Sequence, residues 1–131
     1  MIRVFKSNNQ DERFYALMGK HFASLDIAKE LERQIYNKPN STWYLSTVRG
    51  MVMGFAAVFE NNKHYFLDNL YVLPEFRGDR VASEIVQAIV EDFPDKPIKC
   101  VANNPYALNI FYSLGFDEVG RNGKYKKLIK H

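Results

Sequence analysis

The chain has 131 residues, of which 47% are hydrophobic and 25% charged, with a formal net charge of +3 from 18 Lys+Arg against 15 Asp+Glu. That length and apolar content suit a single domain, 1–131, with a real core, and argue against a disordered chain. The charge is too mild for the dense basic stripe of a nucleic-acid binder, and no apolar run approaches the roughly 18–20 residues of a membrane span.

Residues 2–6, IRVFK, alternate well enough for a short strand. From Asp11 to Asn37 the pattern turns helical. Phe14, Leu17, Met18, His21 and Phe22 fall three and four apart, and so do Ile27, Leu31 and Ile35. Ser24 or Asp26 suits a second helix start, so helices are predicted at 11–22 and 26–37, with NKPNS (37–41) ending the second in a loop. TWYLSTV (42–48) and MVMGFAAVFE (51–60) read as strands around a tight Arg49-Gly50 turn. After ENNK (60–63), HYFLDNLYVL (64–73) is a third strand, closed by Pro74, which has no N–H for a ladder.

Val81, Ile85, Ile89 and Phe93 then recur every four residues beside Ala82, Val86 and Val90, the mark of a helix with a broad apolar face. Pro94 and Pro97 bracket its end before IKCVA (98–102), a short apolar strand, and this strand–helix–strand spacing implies a right-handed parallel crossover. PYALNIFYSLG (105–115) reads as a further helix, with Pro105 in its first turn and Gly115 at its C-terminal cap. FDEVGR and KYKKLIK finish the chain as two strands. The fold class is α/β, a mixed sheet in the order β-α-α-β-β-β-α-β-α-β-β.

The corner LPEFRGDRVA (73–82) joins a strand to the start of an apolar helix. Helix N-termini carry free N–H groups and a partial positive charge, which suits phosphate, and Arg77 and Arg80 would add charge. Read blandly, the segment is only a basic connection. Its Arg77-Gly78-Asp79 also spells an adhesion tripeptide, but a helix follows at once and a chain with one cysteine, Cys100, gives no reason to display it outside the cell. MIRVFKSNNQ turns polar too soon for a signal peptide, so the expectation is a cytoplasmic protein without membrane or nucleic-acid partners.

FLDNLYVLPEFRGDRVASEIV resembles the central motif of the GNAT superfamily of acyl-CoA-dependent N-acyltransferases, and NNPYALNIFYSLGF resembles that family's following strand-to-helix segment. The two cover about residues 64–119, and the element order agrees on both sides. The resemblance implies a partly splayed GNAT-like sheet flanked by helices and acetyl-CoA as co-substrate. By position, the pyrophosphate-binding loop falls on Arg77, Gly78, Asp79, Arg80, Val81 and Ala82. The strand end Leu70, Tyr71 and Val72 would pair with the pantetheine arm between strands 64–73 and 98–103, with Asn104 and, less directly, Asn109 as side-chain partners. Arg80 stands where the family has a glycine. A helical φ is open to arginine, so binding is expected to be weakened at most. The family's usual tyrosine acid falls on Phe111, one residue before Tyr112; either an irregular helix brings Tyr112 to the thioester, or the acid is missing or comes from elsewhere and Tyr112 is a packed aromatic.

Acetyl transfer to an amine needs a free amine, a polarised carbonyl and a proton for the departing sulfur. The resemblance puts Asp68, with Asn69 beside it, where some relatives carry a glutamate, as base or amine anchor; its alternative is a pairing role within the sheet. Cys100 in an apolar strand reads as core rather than nucleophile, and His21 as a wall of an acceptor pocket or a half-buried helix residue. His21, His64, His131 and Cys100 show no metal-ligand spacing, so no metal is expected. The expected function is direct acetyl transfer from acetyl-CoA to a primary amine of a small molecule or protein. The rival is a coenzyme-A-binding module of reduced catalysis acting through a partner. Exposed final strands leave room for a homodimer.

Overall fold

Two apolar surfaces of one seven-stranded sheet organise residues 1–131 in the computed structural model. In chain order the elements are β1 (Ile2–Phe5), α1 (Glu12–Phe22), α2 (Leu25–Leu31), β2 (Thr42–Val48), β3 (Met51–Glu60), β4 (Tyr65–Val72), α3 (Val81–Asp92), β5 (Ile98–Ala102), α4 (Pro105–Ser113), β6 (Asp117–Asn122) and β7 (Tyr125–Lys130). The sheet runs β1-β2-β3-β4-β5-β7-β6, antiparallel throughout except for the β4–β5 pair. This is the mixed sheet and element order that the sequence pattern predicts.

Strand alternation sends alternate side chains to opposite faces. On one face Tyr44, Ala56 and Val58 meet Ile85, Val86 and Ile89 of α3, together with Leu108 and Phe111 of α4. On the other, Trp43, Leu45, Phe55 and Ala57 meet Phe14 and Met18 of α1 and Ile27 of α2. Each fully buried Val, Leu, Ile, Phe or Met among them contributes about 1.5–3 kcal/mol of transfer free energy. Caps set the helix starts: Asp11 accepts from the Arg13 amide, Ser24 from Ile27 and Asn104 from Tyr106, each meeting one of the unpaired donors of a first turn. Arg49 and Gly50 both take positive φ (50° and 75°), as a tight two-residue hairpin requires.

The second helix is shorter than its periodicity predicts. It stops at Leu31 rather than Asn37 because Glu32 turns left-handed (φ 61°), and the Arg33 amide donates back to the Ala28 carbonyl at 3.0 Å. Ile35 is still buried, but from extended chain, so its i+4 spacing from Leu31 is a coincidence of packing.

Two irregularities of β4 open the sheet. First, β4 and β5 pair only at Tyr65–Ile98 and Phe66–Lys99; beyond those residues the parallel strands separate. Second, the β3–β4 register shifts between Phe55 and Ala57, and Asn69 opposite it adopts φ 57°, a left-handed position asparagine tolerates. The bulge exchanges faces. Tyr65 and Leu67 enter the core beneath α3, whereas Tyr71, in phase with them by period two, enters the core beneath α1 and α2.

Candidate active site

The separation of β4 from β5 leaves a cleft of about 740 Å³ running from the β4–α3 corner, past the bulge, to the far side of the sheet. At the corner, a single 3-10 turn (Pro74–Phe76) follows β4, and the Arg77 amide donates to the Pro74 carbonyl at 3.3 Å. The chain then swings through positive φ at Gly78 (92°) and Arg80 (63°) into α3. The first α3 bond is Glu84 N–H to the Arg80 carbonyl, so the six amides of residues 78–83 have no intramolecular acceptor. Six unpartnered donors at a helix start are a geometry that suits an anion.

Two expectations about this corner change. Arg80 is not in a right-handed helical conformation: it is the left-handed N-cap of α3, the backbone state that glycine takes freely and arginine takes at a cost of roughly 1–2 kcal/mol. The Arg77 amide is engaged and its side chain is partly committed, although it lines the cleft and keeps Nη1 unpaired. Its Nε donates to the Val72 carbonyl (3.0 Å), its Nη2 to Glu30 Oε2 (2.7 Å), and its guanidinium lies 5.4 Å from the Tyr71 ring centre. That contact holds the Glu30 carboxyl below its ordinary range, while burial and the bond to Glu30 push the Tyr71 phenol up to about 12. Arg77 braces the corner, and the amides after it have no intramolecular partner.

Leu70, Tyr71, Val72, Arg77 and Ala82 line the cleft, as do Asp68 and Asn69. Gly78, Asp79, Arg80 and Val81 lie outside its lining, and the Val81 side chain is buried in the core. Asn104 lines the cleft, but its Oδ1 is committed to capping α4, so only its Nδ2 can face a ligand. Asn109 is exposed and away from the cleft. Because α4 is regular, Tyr112 is carried to the outer surface, 39% exposed and off the cleft, while Phe111 lines it and packs 5.1 Å from Phe116. The phenols that do line the cleft are Tyr71, Tyr106 and Tyr125.

Beyond the bulge the wall becomes polar. Asp68 Oδ2 accepts from Lys38 Nζ at 2.8 Å and lies 3.8 Å from Arg33 Nη2, while its Oδ1 is buried without a partner. Arg33 also donates to Asn69 Oδ1 at 2.8 Å, fixing the bulge. Phe59 and Phe66 stack at 4.9 Å on the same wall. The β6–β7 turn closes over the opposite side, where Lys124 Nζ and Tyr125 Oη donate to the Glu32 carboxylate, whose pKa falls in consequence. Cys100 is buried, and burial pushes its thiol up to about 12. His21 sits outside the cleft, buried against Phe55. Arg33 and Lys38 carry no signal in sequence, because they come from the stretch read as helix end and loop. No group of three or more His, Cys, Asp or Glu side chains is placed to hold a metal ion.

The fold has counterparts among known proteins. Over its full length the chain superposes on Escherichia coli ElaA with a TM-score of 0.82, covering 99% of that chain at 12% identity. An acyl-CoA N-acyltransferase from Pseudomonas aeruginosa matches at 0.76 and 12% identity, again with 100% of this chain and 99% of that one covered. PaiA N-acetyltransferase from Thermoplasma acidophilum, solved in complex with coenzyme A, matches at 0.69 and 13% identity over 99% of this chain and 98% of that one. At such identities the likeness is one of fold. No curated protein sequence matches the chain. The family model for "Acetyltransferase (GNAT) family" matches residues 14–116, which span both cores, the bulge, the corner and α4. The chain belongs to the GNAT acetyltransferase family.

Proposed function

We propose that the protein is an N-acetyltransferase that moves an acetyl group from acetyl-CoA directly to a primary amine. The observation that carries this reading is that the unpartnered amides at 78–83 adjoin the splayed β4–β5 cleft, which Arg77 and Ala82 line. An acyl-CoA needs both, a phosphate seat at one end and a slot for an extended arm at the other. The coenzyme supplies the activated acyl group. In this reading the chain supplies N–H donors to the phosphates and strand edges along Leu70, Tyr71 and Val72, which β5 leaves unpaired.

Asp68 is proposed to hold the acceptor's ammonium and pass on its proton, with its unpartnered Oδ1 as the receiving atom. Since Tyr112 faces outward, the proton for the departing sulfur is assigned to a cleft phenol, Tyr106 or Tyr125. The high thiol pKa of Cys100 favours direct transfer over an acyl-cysteine route. A cytoplasmic setting and a homodimer formed through the last strands belong to the same proposal. PaiA and an aminoglycoside 6'-acetyltransferase among the structural relatives are acetyltransferases, which supports the class of chemistry but fixes no acceptor.

The rival, a coenzyme-A-binding module of reduced catalysis, draws support from Phe111 occupying the cleft in place of a hydroxyl. Calorimetry with acetyl-CoA, then thiol release with a panel of small amines and lysine peptides, separates the two. Saturable turnover on any amine supports the enzyme; binding with no turnover supports the module; absence of binding removes both.

A further inference from the structure

We propose that Lys38 is itself an acetyl acceptor, modified by the protein's own active site. The inference rests on the proposed function for its acetyl donor, but its residue comes from geometry alone. Lys38 lies in the loop between α2 and β2, and its backbone is held. Asn37 just before it accepts from Trp43 Nε1 (2.9 Å) and donates to Gln10 and to Tyr15 Oη (3.0 Å). Pro39 just after it restricts Lys38 to extended backbone. The side chain crosses into the cleft, 28% exposed, with Nζ 2.8 Å from Asp68 Oδ2 and 4.4 Å from the centre of the Phe59 ring.

A carboxylate and an aromatic face around an ammonium are what a substrate amine requires. Here a lysine of the chain already fills that box. A purely structural ion pair accounts poorly for the arrangement, because Asp68 keeps its second oxygen buried and unpartnered. The other lysines that make close ion pairs, Lys96 on Glu60 and Lys124 on Glu32, do not line the cleft. Lys127 does line it, with no carboxylate within bonding distance, and so provides an internal control.

In the reaction the Lys38 ammonium loses one proton through Asp68 to solvent, and Nζ attacks the thioester carbonyl carbon. The C–N bond forms, the C–S bond breaks, and the second amine proton leaves with the sulfur. Ammonium and thioester thus become amide, thiol and one released proton. The amide carries no charge, so Asp68 is left with Arg33 as its only cation.

The test is to incubate the intact protein with acetyl-CoA at mildly alkaline pH and follow whole-protein mass and a peptide map. The expected result is one acetyl group per chain on Lys38, saturable in acetyl-CoA, slowed by added coenzyme A, and roughly tenfold or more faster than labelling of Lys127. Lys38→Arg, which keeps the cation but not the nucleophile, removes that label while melting temperature and acetyl-CoA affinity stay near the parent. Label spread evenly over the lysines, faster at Lys127, or indifferent to coenzyme A overturns the proposal. Calorimetry keeps the two readings apart: acetyl-CoA binding with Lys38 unmodified sinks this inference and leaves the proposed function standing, whereas no binding sinks both.

Discussion

Arg77 reaches 2.7 Å to Glu30, so the strand-to-helix corner that seats the amides is tied to the last turn of α2. The same guanidinium holds the Val72 carbonyl at the end of β4, and Tyr71 donates to the other Glu30 oxygen at 2.9 Å. The arginine that the family resemblance assigns to phosphate thus also braces the corner, and six unpartnered amides follow it.

Replacing Glu30 by Gln tests the brace. Both partners are over 40% exposed, so screening limits the ion pair to about 0–1 kcal/mol. The sign of its pH dependence follows from the lowered Glu30 pKa. The contribution is full above the ordinary value of 4.5 and is lost as pH falls through the lower folded value. The melting temperatures of parent and Glu30→Gln should differ slightly at neutral pH and converge in acid. A gap that widens on acidification would refute the assignment.

Arg80→Gly should stabilise the protein by about 1 kcal/mol, because it relieves a left-handed N-cap at φ 63°. Arg80→Ala removes the same charge but keeps the strain, and should give no such gain. Urea midpoints of the three proteins check this; equal gains from both variants would mean that charge, not backbone, was the burden.

Gly54 on β3 is the position where the fold leaves least room. A Cβ there would come within 2.9 Å of both the Tyr71 carbonyl and Val81 Cγ1. One contact is β4 backbone just past the bulge and the other is the first residue of α3, so Gly54→Ala pushes on the cleft wall and the amide seat together. The expected cost is about 1–3 kcal/mol. Acetyl-CoA affinity, measured well below the melting temperature, should fall several-fold as well. Unchanged affinity in a destabilised variant would show that the strain is absorbed elsewhere.

Much of this fold was legible because periodicity reports burial, and burial here follows regular elements. The α3 stripe from Val81 to Ile89 and the Gly115 cap are cases in point. What escaped were the positions where chain geometry departs from residue preference. Glu32 and Arg80 turn left-handed without glycine, and Asn69 hides a bulge inside a run read as one unbroken strand. The corner before α3 was readable as a motif, since a helix start is local. The polar wall around Asp68 was not: Arg33 and Lys38 meet it only through a loop whose course depends on where α2 ends.

The last prediction concerns the departing sulfur. Tyr112 stands on the outer face of a regular α4, off the cleft, so Tyr112→Phe should leave the thiol-release rate within about twofold of the parent at every pH. Phe111 lines the cleft one residue earlier, and Phe111→Tyr would place a hydroxyl on that wall. If protonation of the leaving group limits turnover, Phe111→Tyr should raise the rate by roughly 10²-fold or more, the contribution of a positioned general acid. Its benefit should fade as pH approaches the phenol's own pKa. Should Tyr112→Phe instead abolish activity while Phe111→Tyr does nothing, α4 must unwind during catalysis, and the regular helix described here would not be the reacting conformation.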